Sequence, residues 1–467
     1  MHHGMEANAN RSRAGKVGFP PDTDNALHRG KGNGARLQPQ EPGEVTGQHT
    51  GGGRGPNVPV EKPGGRHQTH GISMAKVMNT MICKAAERGD LQSLLDLVAS
   101  TQEMSCVNLS TAIHKLARFV KEEGYFISPH DSRFLSLHAK ILAELKRQAS
   151  SVARVLPRCL STIAWAYATM HISGLDVVPV FVLIAELSLS HIDKFNPLEL
   201  TNLMWGLAKT QCVNVALFSA TRQRLESDLT SFSSSNISTL GWAMVTSQQH
   251  ETQLMNLIVE EFTKRMQHTD VKPVELVNLV WSMATAALDP RVKVLRVIGS
   301  RVMQNVAQFK LQELSITAWS FSRLHARHDK LFAAIARHLC ASPVIWQIHP
   351  QGIANILWAF QRQKAMGMEG EALRHVEVVV SALIPKCWQL LPQLKPQEFA
   401  CTFRALEKLG LPWGVYGDTE GLFLADAAHT GLGLMTRFSM PQCVHLLESF
   451  TGILVSDSIE EIASPDL

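Results

Sequence analysis

The sequence predicts an all-α fold, a right-handed α-solenoid of helical hairpins repeating about every 38–40 residues. Three observations predict it. Six of the nine tryptophans, Trp165, Trp205, Trp242, Trp281, Trp319 and Trp358, stand 40, 37, 39, 38 and 39 residues apart. With the Trp as position 9, position 1 is Pro157, Pro197, Ser234, Pro273, Leu311 and Pro350, and position 3 is often Glu (Glu199, Glu275, Glu313). Positions 4, 7, 8 and 11 are mostly apolar, the spacing of one helix face.

Residues 1–74 precede the array. They hold 15 of the 31 Gly and seven of the 21 Pro with no apolar period, so they are expected to be disordered. The array is expected over residues 75–455. "CVNLSTAIHKLARF" from Cys106 fits the template with His114 in the Trp slot. The six good repeats follow. Each starts with helix A, whose Pro loses nothing at a first helical position where the N–H is orphaned anyway. Asn196, ahead of Pro197 and three residues before Glu199, makes a capping-box pattern. Helix B comes after a short break, as in stretches from Ala216, Leu254 and Val294. "PQEFACTFRALEKL" from Pro396 puts Arg404 in the Trp slot, and "MPQCVHLLESF" from Met440 puts Glu448 there. Residues 456–467 read as an acidic tail. One hairpin cannot bury its apolar face alone, so neighbours must stack.

Composition narrows the function. The formal net charge is +4, too mild for a polyelectrolyte binder but compatible with a local basic stripe. Eight cysteines lie singly, without a C-x-x-C pair, which disfavours zinc and disulfide frameworks. The longest apolar run, "VVPVFVLIA" from Val177, is too short to span a bilayer. No phosphate-binding, dinucleotide-binding or nucleophile-elbow motif occurs. His325 and His328 share i, i+3 spacing without further ligands, so no metal is expected. Asp418, Asp426 and His429 are explained by a degenerate last repeat better than by acid–base chemistry. No catalytic residue, metal or cofactor is expected.

The helical wheel leaves a second face. Positions 5 and 12 are mostly small, which lets adjacent A helices approach. Positions 2, 6, 9 and 13 point away from the apolar side. Position 6 gives Thr162, Asn202, Thr239, Asn278 and Asn355, and position 13 gives Lys209, Arg323, Arg362 and Lys408. Stacked, these make a polar stripe that becomes basic beside a Trp row. Trp205, Trp281 and Trp358 either fill the gap between A helices or offer stacking platforms for bases. The amides and hydroxyls either bond to neighbouring helices or read base edges. Each cation taken alone fits a helix C-terminus; their shared phase favours a ligand.

The stretch Pro197–Trp205, with its cousins Pro273–Trp281 and Pro350–Trp358, resembles the octotricopeptide repeat of algal organelle proteins. It is similar to the chloroplast translation factors of that family and, more distantly, to the FAST-kinase-domain proteins of mitochondria. "AERGDLQSLLDLV" followed by "VNLSTAIHKLARF" resembles the usual entry to such arrays. The resemblance covers roughly residues 78–455. It implies single-stranded organellar RNA as partner, within a ribonucleoprotein, in a chloroplast or mitochondrion, and a role in transcript stability, processing, splicing or translation. Many relatives end in a RAP domain, and no such segment is found here. Residues 1–74 contain Arg but lack the amphipathic pattern of a transit peptide.

The expected function is therefore non-catalytic RNA binding, with A helices lining a concave face and about one nucleotide per repeat. The alternative is a protein–protein scaffold: beyond residue 74 the chain carries 36 basic and 35 acidic residues.

Overall fold

The computed structural model describes residues 74–150, 155–289, 292–341, 343–410 and 419–463. The stretch read as disordered, apart from Met74, and residues 464–467 of the acidic tail lie outside them. Among the described residues every regular element is helical. In chain order the hairpins are α1 (Met74–Glu87) with α2 (Leu91–Ser100), α3 (Cys106–Glu123) with α4 (Ser132–Ala149), and α5 (Pro157–Met170) with α6 (Val178–Leu189). Next come α7 (Pro197–Lys209) with α8 (Val215–Ser227), α9 (Ser234–Thr246) with α10 (Thr252–Arg265), and α11 (Pro273–Thr285) with α12 (Val292–Gln304). Then follow α13 (Leu311–Arg323) with α14 (Asp329–Ala341), α15 (Pro350–Ala365) with α16 (Gly370–Leu390), and α17 (Pro396–Leu409) with α18 (Thr419–Gly433); α19 (Met440–Ala463) is last. Odd-numbered helices are A helices and even-numbered ones B helices. The repeat fold read from the sequence is the fold observed, with one hairpin, α1–α2, ahead of the first template match. Helix α19 continues into the stretch read as a tail.

Packing divides the chain within α8, into one unit that reaches Arg224 and one that begins at Leu225. In the first, α1, α3, α5 and α7 pack in succession, as do α2, α4 and α6. In the second, A helices pack in succession from α9 to α19 and B helices from α10 to α16. Each unit is thus two layers of helices, A against A and B against B, with the apolar core between. Position 4 of the six good repeats (Leu160, Leu200, Ile237, Leu276, Leu314, Ile353) is no more than 1% exposed. Position 5 is also buried, as are Ala168, Ala208, Val245, Ala284 and Ser322 at position 12, and the A helices come close there as the small residues predict. At position 10 of α7, a Cβ on Gly206 would stand 2.9 Å from the Ala164 carbonyl oxygen of α5.

Each A helix is punctuated at its start. The Asn196 side chain accepts from the Glu199 N–H at 2.9 Å, and the Glu199 carboxylate accepts from the Asn196 N–H at 3.0 Å. Glu275, Glu313 and Glu398 likewise accept from the backbone N–H of Lys272, Lys310 and Lys395. Gln442 accepts from Ser439 in the same way at 2.7 Å. From α5 to α17 the residue before the cap is a buried apolar one: Val155, Phe195, Phe232, Val271, Phe309, Ile348 and Leu394. With an apolar residue at position 4 this is the pattern of a hydrophobic staple, which fixes the angle at which the chain enters the helix. In most repeats a 3-10 turn, such as Ile192–Lys194, Leu229–Ser231 or Val306–Gln308, delivers this residue.

The other end is punctuated too. Position 15, just past helix A, is left-handed in successive repeats: His171 (φ 41°), Gln211 (φ 58°), Gln248 (φ 56°), Ala287 (φ 50°) and His325 (φ 54°). Only after α17 does Gly410 take this place, at φ 61°.

A cationic clasp ties four of the B helices, α4, α8, α10 and α12, to the preceding hairpin. Lys140 of α4 donates to the carbonyls of Val98 and Thr101 at 2.7 and 2.6 Å. Arg224 donates to Ile192, Arg265 to Leu229 and Phe232, and Arg301 to Met266. The acceptors lie at or just past the C-terminal end of the preceding B helix, where the last carbonyls lack intrahelical partners.

Candidate nucleic-acid interface

The left-over face of the A helices is built from positions 2, 6, 9 and 13. Position 6 is uniform in its environment. Thr162, Asn202, Thr239, Asn278 and Asn355 are all half-buried. Among the described residues none of these five side chains makes a hydrogen bond, and none of their polar atoms is sealed from solvent without one. A fully buried amide ordinarily finds a partner within the protein. These instead present donors and acceptors outward from fixed helical positions. In the α13 repeat the row is interrupted by Ile316, which is buried.

Position 9 is a true row. The Trp242 and Trp281 rings stand 6.4 Å apart, tilted by 38°, and those of Trp319 and Trp358 stand 6.3 Å apart, tilted by 36°. The indoles therefore pack on one another between adjacent A helices, as the packing alternative holds. Trp281 is only 5% exposed, which leaves it little ring face for a base. Trp205 and Trp358 are half-buried and keep one. In the unit that ends at Arg224, Trp165 stands 5.2 Å from the His114 ring, and Lys121 Nζ lies 5.5 Å over its ring.

Position 13 divides by side-chain length. Thr169 is buried, and the hydroxyls of Thr169, Thr246 and Thr285 are sealed from solvent without a hydrogen-bond partner. The short side chain of a threonine here tucks beneath the neighbouring helix. The long ones reach past it: Arg323 and Lys408 are exposed, and Lys209 and Arg362 are half-buried. Lys408 Nζ stands 2.7 Å from the Glu407 carboxylate, and Arg362 Nη2 stands 3.2 Å from His325 Nδ1.

The weaker sequence candidates take structural roles. The backbone N–H of His328 donates to Gln363 Oε1 at 3.2 Å, and burial holds the His328 pKa down. Gln363 is fully buried and donates to Ser322 Oγ and the Ala326 carbonyl, so the motif with His325 locks a turn. Asp426 accepts a hydrogen bond from the Trp388 indole at 2.8 Å. Asp418 lies outside the described residues. Among the described residues no group of three or more His, Cys, Asp or Glu comes together to hold a metal ion, and no helix is long and apolar enough to cross a membrane.

Two features of the face escaped the sequence reading. Position 2 is Gln312, Gln351 and Gln397 in α13, α15 and α17, and Arg404, in the Trp slot of α17, is half-buried with no ion-pair partner among the described residues. The signal was present in the same template, at a position treated only as outward-facing. The fold and face together define a helical-repeat array with a polar and aromatic A-helix surface. No protein-family model and no curated protein matches the chain.

Proposed function

We propose that the protein binds single-stranded RNA along its A helices and performs no chemistry on it. The observation that carries this reading is position 6 of each unit, Thr162 and Asn202 in one and Thr239, Asn278 and Asn355 in the other: half-buried hydrogen-bonding side chains at the same place in the repeat, with no hydrogen-bond partner among the described residues. Single-stranded bases are read by short polar side chains on repeated helices and by stacking on aromatic rings. Trp205 and Trp358 beside the row supply ring faces, and Lys209, Arg323, Arg362 and Lys408 supply charge for phosphates. At about one nucleotide per repeat the footprint is roughly 6–9 nucleotides. The resemblance to octotricopeptide repeats supports an organellar transcript as target, in a chloroplast or mitochondrion. Occupancy alone then acts, by blocking exonucleases, opening a hairpin or recruiting a partner.

Purified full-length protein titrated with randomised single-stranded RNA tests the reading. Binding should weaken with salt at a log–log slope near −0.7 per phosphate contacted. Alanine at Asn202, Asn278 and Asn355 should flatten the sequence preference recovered by selection. A wild-type protein that retains no RNA at low salt would remove the reading. The scaffold alternative draws on the near balance of charges beyond residue 74, and predicts a protein complex that ignores both tests.

A further inference from the structure

The charge of the A-helix face is not spread evenly along the unit that begins at Leu225. In α9 and α11, positions 2, 6, 9 and 13 carry no charged residue at all: Thr246 and Thr285 occupy position 13 with their hydroxyls sealed. In α13, α15 and α17 the same four positions carry Arg323, Arg362, Arg404 and Lys408 and not one acid. Position 3 of α13 and α17 is Glu, but Glu313 and Glu398 are turned back onto the N–H groups of Lys310 and Lys395. The acid nearest the face in sequence is Glu407, whose surface pair with Lys408 is the kind worth little. In α19 the Trp slot is Glu448, next to which His445 stands at 3.5 Å, so the basic stretch ends there.

Neither Arg323 nor Arg404 has an ion-pair partner among the described residues. Arg362 is steadied by His325 and has its Nε sealed without an acceptor. Surface cations without acids ordinarily occur mixed with them, because like charges in a row repel. The four stand on three successive A helices beside the Trp319–Trp358 pair, exposed or half-buried, where water screens their repulsion and leaves them open to an anion. A guanidinium in the slot where other repeats place an indole keeps a flat π surface and adds charge, a combination suited to stacking on a base and pairing a phosphate at once.

Resting on the RNA-binding reading, we infer that the phosphate-anchoring site of the array is the α13–α17 face, with Arg323, Arg404 and Lys408 as its principal contacts, and that α9–α11 meets bases without gripping the backbone. The ligand chemistry is a run of consecutive phosphodiesters on a flexible single strand. Base contacts carry sequence information and phosphate contacts carry most of the affinity. The two therefore divide along one row of helices.

The test compares three full-length proteins against randomised, fluorescently labelled single-stranded RNA of about 12 nucleotides, by anisotropy at several salt concentrations. They are wild type, R323E/R404E/K408E, and K293E/K330E/R374E, which makes the same charge change on exposed positions of α12, α14 and α16. Circular dichroism checks folding, and R323Q/R404Q/K408Q replaces the first variant if charge reversal unfolds it. The inference expects the face variant to lose at least tenfold in affinity and its salt slope to become shallower by about two, at about 0.7 per phosphate lost. The B-helix variant should keep the wild-type slope. Equal losses in both variants would reduce the effect to net charge and overturn the inference while leaving RNA binding in place. A wild type that ignores RNA yet binds an oligo-aspartate peptide through the same residues would overturn both, and make the face a docking site for an acidic protein.

Discussion

Two glycines on A helices show how local geometry sets the sign of a substitution. An alanine in mid-helix is worth about 1 kcal/mol over glycine. At Gly241 of α9 a new Cβ would meet Ile258 side-chain carbon at 3.6 Å, an ordinary contact. Gly241→Ala should therefore raise stability by about 1 kcal/mol in urea unfolding. At Gly206 the obstacle is backbone at 2.9 Å, which cannot rotate aside. Overpacking costs about 1–3 kcal/mol, so Gly206→Ala should be neutral at best and destabilising by up to about 2 kcal/mol. The buried capping carboxylates give a second test. Burial pushes the pKa of Glu275 and Glu313 up, and their backbone hydrogen bonds oppose this only in part. Between its unfolded and its higher folded pKa such a group binds more protons folded than unfolded. Its contribution to stability therefore rises as pH falls through that window and is lost as pH rises. Gln442 already holds the same cap without a charge. Glu313→Gln should thus keep neutral-pH stability within about 1 kcal/mol and erase the stability gain on acidification. A loss like that of Glu313→Ala would mean the charge itself is needed.

At the scale of the element, the A helices were legible because their signals are local and repeat. A proline at position 1, a glutamate at position 3 and apolar residues at 4, 7 and 8 all lie within one helix, and the Trp period sets the register. The staple residues Phe195, Phe232 and Phe309 recur just as regularly, but they belong to the link before the helix and were not counted with it. The left-handed position 15 was illegible for another reason. Glycine or asparagine normally advertises such a cap, whereas here glutamine and histidine occupy it. Left-handed backbone costs a non-glycine residue about 1 kcal/mol. Among the described residues the exposed Gln248 side chain makes no hydrogen bond, and the Gln248 N–H donates to the Val245 carbonyl at 3.0 Å. Gln248→Gly should accordingly stabilise the protein by about 0.5–1 kcal/mol, read as a shift in the unfolding midpoint. The position-6 and position-13 rows could be placed on a face by counting, but which threonines hide their hydroxyls depends on the neighbouring helix and could not.

For the whole molecule, the clasps were out of reach of sequence reading because donor and acceptor lie more than thirty residues apart and the acceptor is a backbone carbonyl. Removing Arg265 strands the carbonyls of Leu229 and Phe232 and the Glu261 carboxylate together. Arg265→Ala should cost about 1.5–3 kcal/mol, and Arg265→Lys should recover part of it. Because each hairpin packs on its immediate neighbours, damage should fade with distance. Phe262 of α10 is fully buried, and Phe262→Ala should cost about 3–5 kcal/mol locally. In hydrogen exchange its protection loss should cover α9–α12 and leave α17 unchanged. Uniform loss along that unit would mean that it unfolds as one block.

The clasps also have a direction. Lys140, Arg224, Arg265 and Arg301 each stand later in the chain than the carbonyls they hold. The acceptor of each of these clasps is therefore synthesised before its donor. A hairpin that brings such a donor meets carbonyls made a full repeat earlier, so these four contacts close only once the later hairpin exists.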